Sequence, residues 1–94
     1  MGVSFDDLVF VMQGTGIRQA TVAFPNGYVA SVVIGPGTYG GNDNLYELAV
    51  GRGTLISWHL VYDTPITDDV LGHLLPEDVT TLLRQIADLP SCLQ

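Results

Sequence analysis

Ninety-four residues suit one compact domain, spanning the whole of 1–94, with a single core and no room for a second. Ten acids against three arginines and no lysine give a formal net charge of −7. That balance argues against direct binding of DNA or RNA, which needs clustered cations to neutralise phosphates, and against an anionic membrane surface. Charged residues make up 14% of the chain against about 25% in a typical domain, so part of the surface must be apolar or glycine-rich, which favours self-association or a partner.

The N-terminus shows neither the basic region nor the long apolar stretch of a signal peptide. No apolar run approaches the roughly 18 residues of a membrane span. Residues 4–13, SFDDLVFVMQ, pair Ser4 with Asp7 in the acidic form of a capping box and set Phe5, Leu8, Val9 and Met12 on one helical face. A short helix ended by Gly14 and Gly16 is expected there, although LVFVM also suits a strand. From Arg18 the pattern turns to β. Ala20, Val22 and Phe24 alternate on one face, Pro25-Asn26-Gly27 supplies turn chemistry, and Tyr28–Ile34 returns as the second strand of a hairpin.

GPGTYGGNDN follows as a glycine-rich loop. It has no Lys-Ser/Thr after it and no helix opening from it, so a phosphate cradle is not supported; Tyr39 on this loop is a candidate contact residue. Leu45–Val50 reads as a third strand, with Gly51-Arg52-Gly53 as a tight connection into a fourth, TLISWHLVY. In the last segment Pro76 suits the first helical position, and Glu77 and Asp78 complement the helix dipole. Val79, Leu82, Leu83 and Ile86 form the apolar stripe, and Pro90 stops the run. Before it, Thr67-Asp68-Asp69 is expected to cap a shorter helical turn ending at Gly72, with His73 at its C-terminus. The expected architecture is α+β: an antiparallel meander of about four strands with a C-terminal helix packed on one face. Val29, Val33, Leu55 and Val61 make the second sheet face apolar as well, so either the N-terminal segment or another copy should cover it. A homodimer burying those residues is the expectation.

The stretch YDTPITDDVLGHLLPED concentrates Asp63, Asp68, Asp69, Glu77 and Asp78 around His73. Each acid has a local structural use, as a turn residue or in a helix first turn. Their surplus charge makes Asp63, Asp68, Asp69, Glu77 and Asp78, with Tyr39, the candidate partner-binding set. A metal centre built on His59, Asp63 and His73 is not expected, because an extended chain places His59 and Asp63 about 13 Å apart, too far to converge on one ion. Trp58 reads as core. Cys92 reads as a bystander, with no activating base assignable beside it, and a lone cysteine fits a reducing compartment such as a cytoplasm. No Ser–His–Asp order or nucleophile elbow appears, so neither enzyme activity nor a cofactor is expected.

Across Phe24–Pro90, the segments FPNGY, GPGTYGG, LYELAV, YDTPITDDVLG and LLPEDV together resemble a group of small phage-encoded proteins of uncharacterised function. The resemblance implies a phage or prophage origin, hence a host-cell cytoplasm, and carries no activity with it. By size and charge the chain is similar in kind to anti-CRISPR and other anti-defence inhibitors. The expectation is a small acidic interaction protein that blocks a basic surface on a host or phage machine. The alternatives are a structural or replication accessory of a phage and a sponge for a signalling nucleotide.

Overall fold

The computed structural model describes residues 3–14, 16–36, 38, 44–66 and 70–92. Its architecture is α+β, an antiparallel sheet with one C-terminal helix. The strands are β1 (Val11–Gln13), β2 (Ile17–Ala23), β3 (Tyr28–Ile34), β4 (Tyr46–Gly53), β5 (Trp58–Leu60) and β6 (Leu71–Leu74), and the helix α1 is Pro76–Ala87. The first five strands run as a meander in the order β1-β2-β3-β4-β5, and β6 returns to pair with β4. The outer edge of β4 is thus shared. Gly51–Gly53 pair with β5, and Tyr46 and Leu48 pair with β6. No helix among the described residues is long and apolar enough to cross a membrane.

The β2–β3 hairpin and α1 form where the sequence places them. Residues of β2 and β3 alternate faces, so Val22, Phe24, Tyr28, Ala30 and Val32 reach the same side of the sheet as Leu48 and Val50 of β4, and Val79, Leu83 and Ile86 of α1 close over them. α1 starts at Pro76 without a capping side chain at Leu75. The Leu75 amide donates instead to the Asp78 carboxylate at 3.0 Å, half of a capping box. The far end of the helix is held from the hairpin turn. The Asn26 side-chain amide donates to the carbonyls of Ile86 (2.8 Å), Leu89 (3.1 Å) and, at longer range, Ala87 (3.4 Å). Its Oδ1 accepts the Tyr28 amide at 3.1 Å. A helix leaves its last carbonyls without internal partners, and one turn residue supplies what a C-terminal glycine motif would otherwise provide.

Four expectations are corrected. Residues 4–13 are not a helix: a single 3-10 turn at Phe5–Asp7 is followed by β1, which pairs with β2. The Ser4–Asp7 box does form, with the Ser4 amide donating to Asp7 Oδ2 at 2.9 Å. What overrides further helix is tertiary: Phe5 and Phe10 pack on Tyr46 with ring centroids 5.0 and 5.7 Å away, which draws the chain across the sheet end. Gly51-Arg52-Gly53 is not a connection but the end of β4. The turn falls at Thr54–Ser57, closed by the Thr54 amide on the Ser57 carbonyl (2.9 Å). Gly51 is needed because the Trp58 indole lies over the backbone there, where a Cβ would sit 2.5 Å from the ring, and Gly53 because its φ is 135° and a Cβ would run into the Ser57 carbonyl.

The segment Leu71–Leu74 is strand rather than the end of a helical turn; residues 67–69 lie outside the described residues. Three residues of β4 (46–48) face four of β6 (71–74), a bulge, and His73 takes the extra step at φ 58°. The second sheet face, finally, is not a uniform apolar surface. It carries Gln19 bonded to Ser31 at 2.8 Å, together with Thr21 and Glu47. Val29 is fully buried, and its register partner is Gly51, over which Trp58 lies. Val61 belongs to the helix-side core, Val33 is half-buried and Leu55 stands exposed in the β4–β5 turn. The N-terminal residues Val3, Phe5, Leu8 and Phe10 also pack on the helix side, so they do not cover the second face.

Candidate interaction surfaces

Glu77 and Asp78 occupy the first turn of α1, both exposed, where the dipole favours carboxylates. The fold adds two more acids that are some seventy residues distant in the chain. The Phe5 amide donates to Thr80 Oγ1 at 2.9 Å, fixing the 3-10 turn against α1. Asp6 and Asp7, one and two residues beyond that bond, are carried to the N-terminal half of the helix and are exposed there. Asp7 and Asp78 each accept a main-chain amide, but an ionised carboxylate has about four lone-pair sites, so both keep oxygen facing solvent. Asp6, Asp7, Glu77 and Asp78 together form an acidic pole. Arg84, in the last turn of α1, lies roughly 10 Å along the axis from Glu77 at 1.5 Å per residue, about a Debye length away.

Asp63 does not join this pole. It lies at the other end of the sheet, where Arg52 Nη2 contacts both its carboxylate oxygens at 3.1 Å. The guanidinium also stands 5.5 Å from the centre of the Tyr28 ring, within cation–π range. Hydrogen bonding to Tyr28 first, and then to Asp63, pushes the Arg52 pKa further above its ordinary value. These residues line an open cleft of about 640 Å³ together with Pro65, Leu89, Pro90 and Cys92. The cleft carries one cation already matched by one anion. A ligand phosphate or carboxylate would have to compete with Asp63 for the only arginine present.

The remaining candidates are scattered. His59 is exposed on β5 directly across from Arg52, and His73 is exposed in the β6 bulge. Among the described residues no three His, Cys, Asp or Glu side chains are grouped to hold a metal ion. The Cys92 thiol donates to the Asn26 carbonyl at 3.3 Å and its amide to the same oxygen at 2.9 Å, which fastens the C-terminal segment to the hairpin turn. Asp68, Asp69 and Tyr39 lie outside the described residues. Sequence reasoning missed Asp6 and Asp7 as members of the pole and Arg52 as the partner of Asp63. None has a local signal, since all depend on contacts between distant segments. No protein-family model, curated protein or solved structure matches the chain.

Proposed function

We propose that this chain is a non-catalytic interaction protein that docks its acidic pole on a basic surface of another protein, acts as a self-associated pair, and in a phage setting inhibits a host machine. The observation that carries the reading is the convergence of Asp6 and Asp7 with Glu77 and Asp78 on one end of α1, in a chain of net charge −7. Concentrated like charge with few neighbouring cations projects a potential beyond the surface and raises encounter rates with an oppositely charged partner. Asp68 and Asp69, which precede β6 in the chain, extend the same proposal. The cleft beside Arg52 gives a small-ligand reading its one support. A nucleotide phosphate needs uncommitted cations, however, and Arg52 is bound to Asp63.

The test is capture from a bacterial lysate with the wild-type chain and with Asp6→Asn/Glu77→Gln as parallel baits. Those two acids carry charge without accepting the capping amides, so the fold is preserved. The reading expects a basic protein retained by the wild type at low salt and depleted from the variant. Identical captured sets on both baits would refute it.

A further inference from the structure

The β4–β5 turn is built against the usual chemistry of turns. Tight turns favour Gly, Asn, Asp, Ser and Pro because those residues tolerate the backbone geometry or bond to it. Here the two central positions between Thr54 and Ser57 are Leu55 and Ile56, 58% and 98% exposed. The turn is nonetheless well held. The Thr54 amide donates to the Ser57 carbonyl, and the Ser57 amide returns a bond to Thr54 Oγ1 at 3.1 Å. Its base is braced by the Trp58 indole lying on Gly51. Two large apolar side chains are thus presented on a fixed support, which lowers the ordering cost of a contact. Leu60 at the end of β5 and Tyr62 just beyond it are also exposed, at 43% and 49%.

From these exposures the apolar surface is on the order of 400–500 Å², within the range of roughly 300–600 Å² for the largest patch of a typical monomer, where such patches are often functional. Its charge environment singles out the occupant. From Gly51 to Asp63 the chain has one arginine, the carboxylate of Asp63 that pairs with it, and one histidine, so the arm carries no formal net charge. The Gly53 amide bonds to the Gly27 carbonyl at 3.1 Å, and the neighbouring Asn26 caps the C-terminal end of α1. The arm therefore sits at the opposite end of the helix from the acidic pole. α1 has 12 residues, about 18 Å at 1.5 Å per residue. A two-fold contact through the arms keeps the acidic poles of two copies separated by well over the Debye length of about 8–10 Å. Contact through the other end would bring carboxylates face to face.

We propose that the β4–β5 arm, centred on Leu55 and Ile56, is the surface through which a second copy of this chain docks. The proposal rests on the paired state inferred above and names its interface. Two such patches bury on the order of 1,000 Å² with a modest polar rim, at the low end for specific interfaces, so the dimer is weak and concentration-dependent.

Sedimentation equilibrium of the full chain from about 5 to about 200 µM, at low and at high salt, spans the range suited to an interface of that size. The wild type is expected to rise from the monomer mass of 10.1 kDa toward twice that value. Added salt should leave the association unchanged or strengthen it by screening the like net charges. Ile56→Asp, at a position almost wholly in solvent, should stay monomeric with an unchanged melting curve, while Met12→Asp on the exposed edge strand β1 should dimerise like the wild type. A wild type monomeric throughout, an Ile56→Asp variant that still dimerises, loss of the dimer in salt, or loss on Met12→Asp alone would each overturn the proposal. A monomeric wild type that still captures a basic protein in a salt-dependent way would sink the arm and leave the acidic-pole reading standing.

Discussion

Asn26→Ala removes a single half-buried turn amide, yet the structure assigns it a large effect. The side chain makes three good hydrogen bonds: to the carbonyls of Ile86 (2.8 Å) and Leu89 (3.1 Å) as donor and from the Tyr28 amide (3.1 Å) as acceptor. A net contribution of about 0.5–1.5 kcal/mol per bond, raised where a partly buried partner is left unsatisfied, gives a loss of about 2–4 kcal/mol. A chain of this length has a total of roughly 5–14 kcal/mol, so the variant gives up a large share of its stability. Asn26 is not among the residues of positive φ, so alanine adds no backbone strain to confuse the result. Urea unfolding followed by circular dichroism reads the change. With a slope near 1 kcal/mol/M for a small domain, the midpoint should fall by about 2 M or more. Asn26→Asp separates donor from shape. It keeps an acceptor for the Tyr28 amide but turns a carboxylate toward helix C-terminal carbonyls, where the dipole disfavours negative charge. At neutral pH it should destabilise at least as much as alanine. If Asn26→Ala lies within about 0.5 kcal/mol of the wild type, the hairpin turn does not cap the helix in solution, and the reasoning fails.

His73 at φ 58° pays for a left-handed conformation that glycine adopts freely and a β-branched residue resists, so thermal unfolding should rank Gly at or above His, and His73→Val below it by about 1–2 kcal/mol. Gly51→Ala places a methyl 2.5 Å from the Trp58 ring and 2.7 Å from the His59 carbonyl; it should destabilise by about 2 kcal/mol or more, within the range for overpacking, and shift tryptophan fluorescence, whereas a neutral result would mean the indole does not lie on that strand. Chelator, zinc and calcium should each leave the melting temperature unchanged, and a metal-dependent rise of several degrees would restore His59, Asp63 or His73 as ligands.

Where the sequence was legible, the deciding information was local. Pro25-Asn26-Gly27 between two alternating runs specifies the β2–β3 hairpin, and Pro76 ahead of the Val79, Leu83, Ile86 stripe specifies α1. Where it was not, a distant contact outweighed a local signal. LVFVM satisfies both helical and strand periods, and its pairing of Val11 with Gln19 and the stacking of Phe5 on Tyr46 settle the matter. Gly51 and Gly53 look like turn residues in a one-dimensional reading, but Gly51 is required by an indole that arrives from the next strand and Gly53 by its φ of 135° beside the Ser57 carbonyl. The true turn, with Leu55 and Ile56, carries none of the expected residues. Gly72 likewise suggested a helix stop, whereas β6 exists only through its pairing with β4. The acidic set was half legible: Glu77 and Asp78 stand where the helix start places them, Asp63 is taken by Arg52, and Asp6 enters only because Phe5 is tied to Thr80.

The most direct test of the central claim is the association rate of the chain with the basic protein it captures, measured across a salt series for the wild type and for Asp6→Asn/Asp68→Asn/Asp69→Asn/Glu77→Gln. Electrostatic steering acts on the encounter and is screened by salt. The variant should be folded and should associate several-fold more slowly at about 20 mM salt, with the two rates converging near about 0.5 M, where the Debye length falls to roughly 4 Å. Equal rates across the whole series would contradict the account and confine these carboxylates to a structural role.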